Sequence, residues 1–316
     1  MGLATFRGGV HPFEGKELSM DRAVTVLKPT SGEMVYPLSQ HIGAPAKAIV
    51  KVGDEVLVGQ KIAEAGGFIS AVVVSSVSGK VKKIEPRVTA GGAKSISIVI
   101  ENDGLYTAVE GLGEDRDATK LSKQEIRDIV REAGIVGLGG AGFPTNVKLT
   151  PKDESKIDYV IVNGAECEPY LTCDYRMMIE EPERLVGGLK VMLQLFENAK
   201  AVIGIENNKP KAIEKLRALV KDEPKITVEP LRTKYPQGGE RSLIYAVTGR
   251  EINSSMLPAD AGCVVDNVNT VMAIYDAVCK RAPILERVIT VTGDAVKEPQ
   301  NFKVRTGMNY NDIIEA

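Results

Sequence analysis

Four short segments of this sequence combine residue types and spacings that can hold a ligand. The first is Gly137-Leu138-Gly139-Gly140-Ala141-Gly142-Phe143-Pro144-Thr145. Glycines at 137, 139, 140 and 142 leave the main chain almost bare, so its amides can approach a flat or anionic group closely. Lys148 follows, a compact cation suited to a phosphate. Gly137, Gly139 and Gly142 also satisfy G-x-G-x-x-G. A dinucleotide fingerprint, however, needs a strand before the glycines and an unbroken helix after them. Here Ser122-Lys123-Gln124-Glu125 is a capping box that opens a helix before the loop, with Ile126, Ile129 and Val130 at helical spacing and Gly134 as its stop. Pro144 then follows the glycines at once. That context excludes the dinucleotide motif and leaves two readings, a bare-backbone cradle or a tight structural turn beside a surface lysine.

The second segment, Asn163-Gly164-Ala165-Glu166-Cys167-Glu168-Pro169, follows an apolar run at residues 159–162. The carboxyl end of a strand in an α/β sheet is where ligands bind, and an amide with two carboxylates can grip hydroxyl groups there. Ordinary solvated charge is the plainer alternative. The third segment, Lys234-Tyr235-Pro236-Gln237-Gly238-Gly239-Glu240-Arg241-Ser242, is another glycine turn that leads into a helix. The fourth, Asp266-Asn267-Val268-Asn269-Thr270, opens a helix whose free amides suit a phosphate, although Asp and Asn are also common N-caps.

These segments need elements to position them. Apolar runs at residues 159–162, 201–205 and 226–229 read as strands, and residues 183–196, starting at Pro182, and 209–220 read as helices. Further helices are expected at 240–247 and 267–280, then a strand at 288–292. Such alternation predicts a doubly wound parallel sheet. The first 115 residues are instead β-rich, with short apolar runs at 23–27, 48–52, 71–74 and 95–100. A Gly53-Asp54 turn and a later Ser78-Gly79 turn resemble the hammerhead of biotinyl and lipoyl domains. A carrier domain needs a lysine at the hairpin tip, and the tip at residues 65–70 has none, so the unit reads as scaffold. Residues 111–120 are polar and glycine-containing, as a linker would be.

Composition removes several functions. At 316 residues there is room for two or three domains. The 40 basic and 42 acidic residues are interspersed, so no basic stripe points to nucleic acid or to an anionic lipid surface. No apolar run approaches the ~20 residues of a membrane span. The four cysteines, Cys167, Cys173, Cys263 and Cys279, read as cytosolic thiols in a chain with no signal peptide. Cys167-x5-Cys173 fits neither zinc nor iron–sulfur spacing, and the histidines are His11 and His41, so no metal site is expected. Cys167 and Cys173 are read as plain thiols, the alternative being redox groups or cluster ligands shared with a partner.

In this order the four segments resemble the flavin-binding subunit of NADH dehydrogenases of the respiratory complex I type. That family carries a glycine-rich Ala-Gly-Phe-Pro-Thr run with a following lysine, Asn-x-x-Glu-x-Glu-Pro, Gly-x-Glu and an Asn-rich helix start. At the front, Phe6-Arg7-Gly8-Gly9-Val10-His11-Pro12 and Pro37-Leu38-Ser39-Gln40-His41-Ile42-Gly43-Ala44-Pro45 look like the RnfC family, peripheral subunits of Rnf ferredoxin:NAD⁺ oxidoreductases. This likeness runs essentially end to end. It implies a multidomain α/β protein: a lipoyl/biotinyl-like hammerhead domain at 1–115, an FMN/NADH-binding domain with a doubly wound parallel sheet at 116–283, and the start of a small β-grasp (soluble-ligand-binding) unit at 284–316.

The resemblance implies noncovalent FMN, NAD(H) as substrate, and no obligatory side-chain base. Gly137, Gly139, Gly140 and Gly142 would wall the flavin, and Lys148 would hold its phosphate. Asn163 and Glu166 would contact flavin and ribityl chain, Tyr235, Gly238 and Gly239 the other side, and Asn267, Asn269 and Thr270 the ribityl-phosphate end. Phe143, Glu168 and Glu240 would face NAD(H), and an acidic ribose contact at Glu168 favours NADH over NADPH. Departures from the complex I pattern are Ala165 for Asp, Gly239 for a glutamate, and missing stacking aromatics near Pro151 and Leu257. Family members continue into Cys-x2-Cys-x2-Cys runs holding two [4Fe–4S] clusters. No such run occurs here, so clusters are expected only in that further domain.

Partners would be the other subunits of a membrane electron-transport complex that translocates ions, with ferredoxin as an indirect one. The expected position is peripheral, on the cytoplasmic face. A cobalamin-reductase-like NADH:flavin protein is the nearest rival, disfavoured because those relatives lack the leading hammerhead. A docking subunit with a decayed flavin site is the other, and the presence of Lys148, Asn163, Glu166 and Glu240 speaks against it.

Overall fold

The computed structural model describes residues 2–30 and 32–316. Contacts divide the chain into two compact units, neither continuous in sequence. One holds residues up to Thr25, Lys148–Tyr275 and Ile289–Asn301; the other holds Val26–Val147, Asp276–Val288 and Phe302–Ala316.

Elements of the β-rich part are β1 (Thr25–Leu27), β2 (Glu33–Pro37), β3 (Lys47–Ala48), β4 (Glu55–Val56), β5 (Lys61–Glu64), β6 (Val73–Val74), β7 (Gly79–Val88) and β8 (Lys94–Asn102). A four-stranded sheet of order β2-β8-β7-β4 and a three-stranded sheet of order β3-β5-β6, both antiparallel, share one core. Met34 and Tyr36 alternate inward from β2, and Ile62, Val73, Val77, Val81, Ile98 and Ile100 fill the interior with them. This alternation is what a half-buried strand requires. Residues 65–72 join β5 to β6, with Phe68 exposed and the Gly66 amide donating to Ser70 Oγ at 2.8 Å.

Helix α1 (Lys123–Glu132) has the expected capping box: Ser122 Oγ accepts from the Glu125 amide at 3.3 Å, and Glu125 Oε2 accepts from the Ser122 amide at 2.7 Å. Gly134 stops it at φ 68°, where a Cβ would lie 2.7 Å from the Val72 carbonyl oxygen, so only glycine fits. The four-residue α2 (Thr145–Lys148) follows the glycine segment.

The α/β part runs β9 (Tyr159–Gly164), α3 (Cys173–Glu180), α4 (Pro182–Leu195), β10 (Lys200–Glu206), α5 (Pro210–Leu219), β11 (Ile226–Leu231), α6 (Glu240–Thr248), β12 (Cys263–Asn267) and α7 (Val268–Lys280). Then come β13 (Glu286–Val291), β14 (Gln300–Arg305) and α8 (Tyr310–Glu315). Strands β9–β12 form a parallel sheet of order β11-β10-β9-β12. Residues 160–162 of β9 are fully buried, as a central parallel strand covered on both faces must be. Leu243 and Ile244 of α6 pack on Ile161, Leu231 and Val265. The chain moves outward from β9 to β11 and returns with β12 on the other side of β9. The crevice at the carboxyl ends of β9 and β12 is therefore the topological switch point, where open α/β sheets bind ligands.

Gly188 allows α4 to approach α7: a Cβ there would lie 2.1 Å from the Val271 carbonyl oxygen. Alanine would gain roughly 1 kcal/mol of helix propensity, yet the clash with backbone outweighs it. Gly188→Ala is expected to destabilise the protein by about 1–2 kcal/mol in a denaturant titration; an unchanged or raised midpoint would contradict the close approach. Among the described residues no helix is long and apolar enough to cross a membrane.

Candidate functional site

Asn163 stands at the end of β9, opposite Asn267 in the register with β12. Its Nδ2 donates to the Gly238 carbonyl oxygen at 2.7 Å, and its Oδ1 accepts from the Ala165 amide at 3.3 Å. The Gly238 amide in turn donates to Cys167 Sγ at 3.2 Å. A Cβ on Gly238 would meet Asn163 Oδ1 and Cys167 Sγ, each at 3.2 Å, so the second and third sequence segments touch through this glycine. Gly239 caps α6, accepting from the Leu243 amide at 2.8 Å.

Glu166 has φ 47°, uncommon for a residue with a side chain, and it is buried. Its Oε1 accepts from the Asp174 amide at 2.7 Å and its Oε2 from the Tyr175 amide at 3.3 Å, so the carboxyl caps α3. Burial foremost, then neighbouring Asp174, pushes it up to about 7, against the pull of Lys209 and Lys16. Asp174, on the first turn of α3, grips the fourth segment: Asn267 Nδ2 donates to its Oδ2 and Asn269 Nδ2 to its Oδ1, both at 2.6 Å. Asn267 Oδ1 accepts from the Asn269 amide at 2.9 Å. Both asparagines are thereby fixed at the start of α7, beside the fully buried Thr270. Ligand atoms of Glu166, Cys173 and Asp174 lie within 4.8 Å of one another. Their carboxylate oxygens serve amide donors, an arrangement for capping and orientation.

Lys148 Nζ donates to the Val265 carbonyl oxygen at 2.8 Å and lies 3.5 Å from Asp266 Oδ1 and 3.6 Å from Glu240 Oε1. The Asp266 side chain is 1% exposed, and neither of its oxygens accepts a hydrogen bond from any described residue. Burial pushes its carboxyl up to about 6, with Lys148 opposing and Glu240 adding. A buried carboxylate with open lone pairs suits a donor from a ligand, such as a hydroxyl.

Glu168 is exposed, and its carboxylate is the main cause raising the Tyr235 phenol. Tyr235 pairs with Val10 through two backbone hydrogen bonds of 2.8 and 2.9 Å. Both thiols of this region are held neutral, chiefly by burial, which favours the plain reading of Cys167 and Cys173.

The glycine segment, in the other unit, closes on itself. The Gly137 amide donates to the Phe143 carbonyl oxygen at 2.8 Å, the Thr145 amide to that of Ile135 at 2.9 Å, and Val136 bridges Pro144. Gly139 and Gly140 are exposed, and a Cβ on Gly140 would meet nothing within 4 Å. Gly142 alone of the four has positive φ, 68°. Phe143 is half-buried.

The α/β unit thus brings together Lys148, Asn163, Glu166, Glu168, Tyr235, Gly238, Gly239, Glu240, Asn267, Asn269 and Thr270. Sequence reasoning passes over Asp174 and the open carboxylate of Asp266. Asp266 is visible as the residue ahead of Asn267, whereas Asp174 lies in no motif. Amides, a lysine, an unsatisfied carboxylate and a helix start at one switch point fit a group bearing hydroxyls and a phosphate, as FMN does.

Known proteins define the class. Residues 4–105 match the RnfC barrel sandwich hybrid domain, and residues 130–276 the Nuo51 FMN-binding domain. The chain is therefore a barrel-sandwich domain joined to an FMN-binding domain. It is 47% identical over 313 residues to a subunit of the proton-translocating ferredoxin:NAD(+) oxidoreductase complex of Clostridium ljungdahlii, covering 99% of this chain and 68% of that one. Identity to the corresponding subunit of the Na(+)-translocating ferredoxin:NAD(+) oxidoreductase complex of Acetobacterium woodii is 45%, covering 98% and 70%. For the matching subunit of the ion-translocating oxidoreductase complex of Haemophilus influenzae it is 37%, covering 99% and 48%. The chain belongs to the RnfC family. Its fold also resembles a chain of the NAD+-reducing [NiFe]-hydrogenase, air-oxidised state, with TM-score 0.54 and 24% identity over 66% of this chain and 41% of that one.

Proposed function

We propose that this chain binds FMN noncovalently and exchanges electrons between FMN and NAD(H), as the RnfC subunit of an ion-translocating ferredoxin:NAD⁺ oxidoreductase. The observation that carries this reading is the convergence of Lys148, Asn163, Asp266, Asn267 and Asn269 at the β9–β12 switch point. When bound, FMN supplies a group that takes two electrons as hydride and passes them singly.

The chain's own residues bind and orient. Asp266 accepts from ribityl hydroxyls, and Lys148 with the first amides of α7 holds the phosphate. Two acids beside Lys148 offset part of its charge, so the helix amides carry a real share of that anion. Asn163 presents its amide to the flavin, and Glu166 acts by capping α3 and placing the backbone around it. Tyr235, Gly238 and Gly239 line the opposite side. The glycine segment is assigned to the flavin by its place inside the matched FMN-binding span. Phe143, Glu168 and Glu240 are assigned to NAD(H), the aromatic by stacking and the acids by accepting from hydroxyl or amide groups. Orientation of two bound rings needs no side-chain base.

In domain terms, 1–115 is the hammerhead-like scaffold, 116–283 the doubly wound FMN/NADH domain and 284–316 the start of a β-grasp unit. The assembled complex would place this subunit on the cytoplasmic face of its membrane, with the other subunits and a [4Fe–4S] domain passing electrons to or from ferredoxin. Glu168→Ala tests the nucleotide assignment. FMN uptake should be unchanged, while reduction by NADH slows about tenfold, the value of one hydrogen bond to a charged acceptor. Equal loss of FMN uptake would contradict it.

A further inference from the structure

Two lysines outside all four sequence segments reach into the backbone of the acidic loop. Lys209, 1% exposed, follows β10 and donates from Nζ to the Ala165 carbonyl oxygen at 2.6 Å. It also donates to Asn208 Oδ1 at 2.9 Å and pairs with the equally buried Glu206 at 3.4 Å. Lys16, 5% exposed, donates to the carbonyl oxygens of Glu168 at 3.0 Å and Leu171 at 2.6 Å. The Tyr170 amide adds a bond to the Glu14 carbonyl oxygen at 2.7 Å. Between these anchors the loop contains two non-glycine residues at positive φ, Glu166 at 47° and Tyr170 at 67°. Residues held in that region persist only when their surroundings fix them. A carbonyl that accepts from an ammonium is held by a charge-assisted bond, and at Ala165, where the bond is buried, neither partner has water to fall back on.

We propose that Lys16 and Lys209 are positioning residues, a two-point clamp that holds residues 165–171 in the conformation that braces Asn163 through the Ala165 amide toward FMN and presents Glu168 to NAD(H). This rests on the proposed function for its ligands, though not for the clamp itself. The two lysines lie close enough to Glu166 and Glu206 to interact with both acids, and Asp174 is a further buried acid beside Glu166. Lys209 thus has a rival role, neutralising Glu206, and the two roles can be separated. Glu206→Gln/Lys209→Met removes the pair without leaving a buried charge, and the Gln carbonyl can still accept from the Lys234 amide, as Glu206 does at 3.1 Å. It also removes the donor to Ala165.

The test uses the full chain as wild type, Lys16→Met and the Glu206→Gln/Lys209→Met double variant. Hydrogen exchange of loop amides is followed without FMN, FMN affinity by quenching of flavin fluorescence, and folding by thermal unfolding. The clamp predicts faster exchange confined to the loop in both variants, and FMN affinity lowered about tenfold to a hundredfold, the range for losing a hydrogen bond to a charged donor. Wild-type exchange and affinity in the double variant would overturn it, leaving Lys209 as a charge partner only. If the wild type takes up no FMN while loop exchange still responds, the clamp stands and the proposed function falls. If neither variant alters exchange, the clamp falls whatever FMN does.

Discussion

Lys148→Met should lower the free energy of unfolding by about 3 kcal/mol near pH 8 and by far less near pH 5. Asp266 is the reason. Its carboxyl is buried, pushed up to about 6, and Lys148 is the cation that opposes the rise. An acid raised above its unfolded value of about 3.9 binds more protons in the native state. Stability from this group is therefore full below about pH 4 and is lost as pH rises through the folded value of about 6. Removing Lys148 raises that value further, so ionised Asp266 becomes a buried charge without a partner at high pH, while near pH 5 the neutral acid feels little change. Asp266→Asn predicts the reverse, added stability that is largest near pH 8, partial near pH 5 and absent below about pH 4. A Lys148→Met penalty independent of pH would show that the pair is not what couples the two residues.

Asp174→Asn carries the second large effect, a loss of about 2–4 kcal/mol and most of the FMN affinity. The carboxylate accepts from two asparagine amides, Asn267 and Asn269, at 2.6 Å each. Asparagine in its place offers one acceptor and one donor, so one amide faces another donor in a buried setting. Both asparagines sit where α7 begins, and their release would disorder the face assigned to the ribityl-phosphate end. Urea titration reads the stability loss and flavin fluorescence the affinity. Intact FMN binding in a destabilised Asp174→Asn protein would remove Asp174 from the site and leave it a structural residue.

Some of this is legible in the sequence for physical reasons. The strands of the parallel sheet are continuous apolar runs because both faces are covered, and α4 and α5 open with Pro182 and Pro210 at the first helical position. The capping box and Gly134 mark α1 by chemistry that is complete within a dozen residues. Helix α3 carries no such signal. It is eight residues long, its N-cap Thr172 makes no side-chain cap, and the group that does cap it is Glu166, outside the helix and ahead of the turn. Strand β7 is legible only at its start, because Lys80, Lys82, Lys83, Glu85 and Arg87 give it no apolar alternation to read.

The site divides in the same way. Segments at 163–169, 234–242 and 266–270 can be found because each is a compact run. Their supports cannot: Lys16 and Leu171 are 155 positions apart, and Asn267 and Asp174 are 93 apart. Asp266 is in view, yet its significance lies in having no hydrogen-bond partner among the described residues, a fact of packing that no spacing carries. Lys148 reads from sequence as a phosphate cation, and the fold adds two acids beside it.

FMN held at the β9–β12 switch point, in reach of NAD(H), is the proposed arrangement. The most direct test is to load the purified chain with FMN, remove free flavin and oxygen, and add NADH. A yellow protein with one FMN per chain, bleached by NADH and recoloured by air, is the predicted result. A chain that takes up no FMN, or one whose bound FMN is untouched by NADH, would contradict the account.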